Sequence, residues 1–146
     1  MLITLLSVGL LFGTPTKPID VQELECLAKN IYYEAPDEPY EGKLAVATVT
    51  MNRVENEYYP DTVCEVVYQP YQFSWTRNPY PIREPKIYEE AEQIAWEVLM
   101  ENKRLKSIGN AMFYHNQTVK PKWSLTMEPI RRIGGHTFYV TRRVNR

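Results

Sequence analysis

LECLAKNIYYEAPDEPYEGKLAVATVTMNRV, residues 24–54, is the stretch whose reading decides the fold. It reads as two helices joined by a short acidic turn that carries Pro36 and Pro39. The spacing predicts the first helix over 21–35, with Asp20 as cap and Glu23 three residues later as in a capping box. At the helical repeat, Leu24, Leu27, Ala28, Ile31 and Ala35 fall in one apolar stripe about 100° wide. Glu34 falls about 20° from Leu27 by the same count, so it edges the buried face. Cys26 and Tyr33 lie on the opposite side, which predicts that this helix is covered on both faces. The second helix is predicted over 40–54, started by Asp37 or Glu38 with its negative charge at the positive end of the helix dipole. Its apolar residues Leu44, Ala45, Val46, Ala47, Val49, Met51 and Val54 go all the way round, as in a helix at the centre of a domain.

Outward from this pair, Thr62-Val63-Cys64-Glu65 matches a second capping box and predicts a short helix over 63–69. Gln72-Phe73-Ser74-Trp75 reads as extended chain, and the proline-rich segment 78–85 as loop. Pro85 suits a first helical position, and Ile87, Tyr88, Ala91, Ile94, Ala95, Val98 and Leu99 form a broad stripe that predicts a helix to about Asn102. The last third changes character. Residues 111–115 and 136–140 read as two short strands, with Gly134-Gly135 a turn signal before the second and a loop holding Pro121, Trp123 and Pro129 between them. At the other end, residues 2–12 form an apolar run too short for a membrane span of about 20 residues. Its length suits the core of an export signal, although no Lys or Arg precedes it and no A-x-A-like site follows. The expectation is therefore an export or weak membrane-anchoring segment over 1–18 and one domain over 19–146.

A chain of 146 residues fits a single domain with a sizeable core. Ordinary apolar and charged fractions exclude a disordered chain. The eleven tyrosines pair apolar faces with polar tips and suit sugar or peptide grooves as well as core edges. The overall charge of −1 conceals a split: residues 1–75 carry four bases against eleven acids, net −7, and residues 76–146 thirteen bases against seven acids, net +6. The basic end finishes in Arg142, Arg143 and Arg146, which could meet a polyanion. No nucleic-acid motif accompanies this charge, so no nucleic-acid partner is expected.

Three groups of residues could carry chemistry. Glu34 stands at a helix end, flanked by Tyr32 and Tyr33 and bordering the apolar stripe. Partial desolvation there raises a carboxyl pKa and makes a general acid able to protonate a glycosidic oxygen near neutral pH. His115 and His136 could hold zinc with an acid as third ligand, but they are 21 residues apart and lack the HExxH spacing. Cys26 and Cys64 are either one disulfide, if the chain is exported, or two buried thiols. Neither cysteine has the context of a nucleophile.

Several of these pieces recur together in one family. Cys26-Leu27-Ala28 leads to Ile31-Tyr32-Tyr33-Glu34-Ala35, then Glu41-Gly42, Ala45-Val46-Ala47 and Asn52-Arg53-Val54. Further on come Tyr59-Pro60, Thr62-Val63-Cys64, Val66-Val67-Tyr68-Gln69, Gln72-Phe73-Ser74-Trp75, Phe113-Tyr114-His115, Trp123 and Gly135-His136-Thr137-Phe138-Tyr139. This ordered set resembles the SleB/CwlJ-type cell-wall hydrolases over residues 23–140. The resemblance implies a lysozyme-like α+β fold acting on peptidoglycan glycan strands, with Glu34 as the catalytic acid and no metal or cofactor. It implies cleavage of the β-1,4 bond from N-acetylmuramic acid to N-acetylglucosamine by lytic transglycosylation, in which the muramic acid 6-hydroxyl closes onto C1. Such a route needs no second, water-activating carboxylate, unlike hydrolysis. Gln72, Ser74, Tyr114 and His115 are candidates for the sugar groove, and a monomer exported to the cell envelope is expected. The alternatives are a metal-dependent muramoyl-alanine amidase using His115 and His136, and a non-catalytic envelope-binding protein of the same fold. The sequence departs from the family in the turn, where an A-R-G-E-like stretch after the glutamate is replaced by Ala35-Pro36-Asp37-Glu38-Pro39.

Overall fold

The computed structural model describes residues 17–142; the apolar run 2–12 and the terminal Arg143 and Arg146 lie outside the described residues. Four helices come first: α1 (Val21–Glu34), α2 (Tyr40–Val54), α3 (Val63–Val67) and α4 (Pro85–Met100). A three-stranded antiparallel sheet closes the chain: β1 (Phe113–Asn116), β2 (Met127–Ile133) and β3 (His136–Thr141), in the order β1-β3-β2. Among the described residues no helix is long and apolar enough to cross a membrane.

α2 is the spine of the molecule. Every residue from Gly42 to Met51 is buried, as its all-round apolarity requires. One side of α2, through Leu44, Ala47 and Met51, joins a core with α1, α3 and α4. The other side, through Ala45, Val46 and Val49, packs on Ile133 and Phe138 of the sheet and on Ile108 and Ala111. Lys43 is the charged exception in this buried run, and its Nζ is neutralised by Glu90 at 2.9 Å.

α1 is capped by Asp20, whose carboxylate accepts from the Gln22 and Glu23 amides. Its stripe is buried: Leu27, Ala28 and Ile31 are fully enclosed. The other face is covered too, because Tyr33 stacks on Trp75 with ring centroids 4.7 Å apart and Cys26 is bonded to Cys64. Glu23 departs from the expected capping box. Its carboxylate reaches across to accept from the Val63 and Cys64 amides at 2.5 and 3.2 Å, capping α3 from outside. The Thr62 hydroxyl completes that cap by accepting from the Glu65 amide.

Four local expectations are corrected. α3 ends at Val67 and not at 69. Ser74–Thr76 forms a 3₁₀ turn where extended chain was expected. α2 starts with no side-chain cap, because Glu38 is committed elsewhere. A third strand, β2, occupies much of the presumed loop between the other two. Its pattern hides it: it is an edge strand, largely exposed, with Pro129 at a register shift between Pro129 and Arg131. Proline is tolerated at such edge and bulge positions because its missing N–H costs no ladder bond.

Candidate active site

Glu34 is the last residue of α1 and lies where the two cores meet. Tyr114, on β1, packs against both cores, and its hydroxyl donates to Glu34 Oε2 at 3.2 Å. Burial drives the Glu34 carboxyl up to about 7 from 4.5, against the opposing pull of the Tyr114 hydrogen bond and the positive charge of Arg53. The same burial, followed by the charge of Glu34, holds the Tyr114 hydroxyl well above its ordinary range, so it remains a donor. The charges and hydrogen bonds acting on Glu34 thus include no second carboxylate among the described residues.

Arg53 is the group that sequence reading missed as a site residue. It sits near the end of α2, buried, with its guanidinium over the rings of Tyr59, Phe73 and Phe113 at 5.6, 5.6 and 5.9 Å. Its Nε donates to the Met112 carbonyl at 2.9 Å and its Nη1 to Gln72 Oε1 at 3.2 Å. Burial lowers its pKa, while Tyr114, Tyr59 and Glu34 support its charge. Asn30 is the second such residue. Four residues before Glu34 and fully buried, its Nδ2 donates to Thr50 Oγ1 at 3.3 Å. Its Oδ1 accepts from Trp75 Nε1 at 3.1 Å. A signal was present in the sequence for both: a polar Asn one turn before Glu34 on the same face, and an Arg ending an apolar helix.

The expected site residues separate into two groups. Glu34 and Tyr114 touch, and Gln72 is tied to them through Arg53. Ser74 is exposed and opens the 3₁₀ turn that carries Trp75. His115 stands on the other face of the sheet from Tyr114, as alternation along a strand dictates. There its ring stacks on Tyr139, its Nε2 is 2.7 Å from the Tyr139 hydroxyl, and Trp123 lies edge-on to it. His136 shares the Tyr114 face, edge-on to that ring and 3.5 Å from Glu38. The two histidines therefore face opposite ways and do not converge. Among the described residues no group of three or more His, Cys, Asp or Glu is placed to hold a metal ion.

The altered turn is closed from within and from across. The Glu38 amide donates to the Ala35 carbonyl at 3.3 Å, and the Glu38 carboxylate accepts from the Gly135 amide at 3.0 Å. Glu38 thereby fixes the turn after Glu34 onto the β2–β3 hairpin.

Comparison with known proteins bears on this geometry. The model of the family described as cell wall hydrolase matches residues 37–139, beginning just after Glu34. A spore cortex-lytic enzyme of Oceanobacillus iheyensis is 32% identical over 132 residues, 86% of this chain and 46% of the relative. One from Bacillus subtilis is 30% identical over 80% of this chain and 37% of its own length. The chain thus spans less than half the length of these relatives. Among solved structures, the catalytic domain of the germination-specific lytic transglycosylase SleB from Bacillus anthracis superposes with a TM-score of 0.69 at 30% identity, covering 85% of this chain and 98% of that one. The catalytic domain of the Bacillus cereus SleB protein gives 0.68 at 29% identity, covering 88% and 99%. The α+β, lysozyme-like architecture expected from the sequence is the one these domains share. With the family model spanning most of its length, this chain belongs to the cell wall hydrolase family.

Proposed function

We propose that the domain cleaves the β-1,4 bond between N-acetylmuramic acid and N-acetylglucosamine in peptidoglycan by lytic transglycosylation, with Glu34 as the single acid and base. The observation that carries this reading is a largely buried carboxyl with its pKa raised to about 7, held by one hydroxyl and faced by one cation. The similarity to a domain described as a lytic transglycosylase supports it.

In this mechanism protonated Glu34 gives its proton to the glycosidic oxygen as the bond to C1 breaks. The leaving sugar departs with a free hydroxyl. The carboxylate left behind is stabilised by the Tyr114 hydroxyl and the field of Arg53. It then takes the proton of the muramic acid 6-hydroxyl as that oxygen bonds to C1, which restores the acid and yields a 1,6-anhydro end. A pKa near 7 suits both half-reactions, since neither protonation state is rare at neutral pH. Gln72 and Ser74 are proposed to line the glycan groove; His115, on the far face of the sheet and engaged by Tyr139, is not. The substrate implies action outside the cytoplasm, in the cell envelope.

The test is clearing of purified peptidoglycan by Glu34→Gln, which keeps the shape and removes the proton. A loss of about 10²-fold or more is expected for a general acid. Undiminished clearing by the variant would remove Glu34 from the mechanism. Wall binding without clearing by the wild-type protein would point to a non-catalytic binding domain.

A further inference from the structure

We infer that Tyr71 is a sugar-stacking platform: an exposed ring, next in the chain to the segment held by Arg53, that takes the C–H face of a glycan residue beyond those at the cleaved bond. This rests on the peptidoglycan reading above.

The first observation is backbone conformation. Tyr71 has φ +67°, one of two non-glycine residues with positive φ among those described. This left-handed region crowds the Cβ against the following carbonyl, and for a bulky side chain it is an outlier. Glycine would occupy it without cost. Such conformations persist where the surroundings impose them, and they concentrate at ligand sites. The second observation is exposure. Tyr71 is 88% exposed, the most exposed of the large hydrophobic residues described, so the strained position contributes little burial to the core. The core gives no reason for an aromatic ring at this position.

The third observation is place. Tyr71 directly precedes Gln72, whose amide oxygen is held by Arg53, and Phe73, whose ring packs under the same guanidinium. Arg53 is the cation that acts on Glu34. The segment bearing Tyr71 is therefore anchored to the catalytic group through one buried side chain. The ring is also backed: the Arg77 guanidinium lies 5.8 Å from its centroid. This cation still leaves most of the ring's surface to solvent. The face is apolar and the tip polar, which matches a pyranose with its axial C–H groups on one side and hydroxyls at its rim. A flat, exposed ring of this kind suits a polymer passing along the surface and is of little use to a small ligand in a closed cavity.

The experiment separates stacking from folding. In a Glu34→Gln background, which prevents turnover, Tyr71→Gly and Tyr71→Trp are compared with the parent for binding to sedimented peptidoglycan sacculi and for melting temperature. Tyr71→Gly is expected to weaken binding about tenfold, the size of one lost aromatic stacking contact. Its melting temperature should hold or rise, because glycine relieves the positive φ. Tyr71→Trp should bind as the parent does or better. Binding by Tyr71→Gly equal to the parent would overturn the proposal. So would weaker binding accompanied by a fall in melting temperature, which would make the ring structural. A parent that fails to bind sacculi would contradict the peptidoglycan reading itself.

Discussion

Glu34 carries two opposing consequences of one environment. Burial raises its pKa to about 7 from 4.5, so the folded state penalises the anion. The penalty is absent below the unfolded value of 4.5 and fully present above 7, so stability falls as pH rises through that window. Glu34→Gln should therefore match the wild type in stability at pH 4 and exceed it by up to about 3 kcal/mol at pH 8, measured by urea denaturation at both values. A variant that loses activity while gaining stability only at high pH would mark the carboxylate as functional. Arg53 tests the electrostatics independently. Its charge opposes the rise of the Glu34 pKa, and the other group acting there is the Tyr114 hydroxyl. Arg53→Met should move the basic limb of the pH–rate profile to higher pH, and Arg53→Lys should leave it nearly in place. An unmoved limb in the methionine variant would show that Arg53 only holds Met112 and Gln72. At this scale the sequence pointed to Glu34 through helical angle together with the family resemblance, and to Tyr114 as a groove candidate. Arg53 and Asn30 were not assigned roles, because their importance lies in partners 19 to 59 residues away along the chain.

The elements around the site are tied together by a few long-range bonds. α1 and α3 are joined twice, by the Cys26–Cys64 bond and by the Glu23 carboxylate on the Val63 and Cys64 amides. The cysteines are 38 residues apart, so removing the link frees a loop whose closure entropy is about 4 kcal/mol. Replacing both cysteines by serine should lower the melting temperature clearly, while the slope of denaturant unfolding shows whether the loss acts through the unfolded chain. The β2–β3 hairpin offers a sharper case. Gly134 has φ +55°, and a Cβ there would stand 1.8 Å from Glu38 Oε2. Gly134→Ala must therefore adopt a strained backbone and displace Glu38 from the Gly135 amide. A loss of more than about 1 kcal/mol in thermal unfolding is expected, and a neutral result would mean that the turn is not held through Glu38. Helices α1 and α4 were legible because periodic apolarity over fourteen and sixteen residues is a strong signal, and α2 because fifteen residues apolar on every side are too long for a buried strand. β2 was not, since an exposed edge strand with a proline lacks both alternation and β-forming composition. Glu23 was assigned to its own helix because sequence shows only local partners.

The molecule as a whole is two cores on either side of one buried helix, and its site lies at the seam between them. This explains how a single carboxyl can be desolvated yet reachable. It ends a helix on one side of the seam and meets a tyrosine from the sheet on the other. The central place of α2 and the late change to strand-like sequence could be read directly, whereas the family, and through it the lysozyme-like fold class, came from an ordered set of short motifs. The meeting of the layers could not be read, because it depends on which face of β1 carries Tyr114 and which His115. The same arrangement frames the central claim, that one acid does the work of both proton transfers. The most direct measurement is mass spectrometry of the muropeptides released from purified peptidoglycan by the wild-type domain, with Glu34→Gln as control. The account predicts 1,6-anhydro-muramic acid ends from the wild type and none from the variant. Reducing muramic acid ends, or anhydro products undiminished in Glu34→Gln, would contradict it.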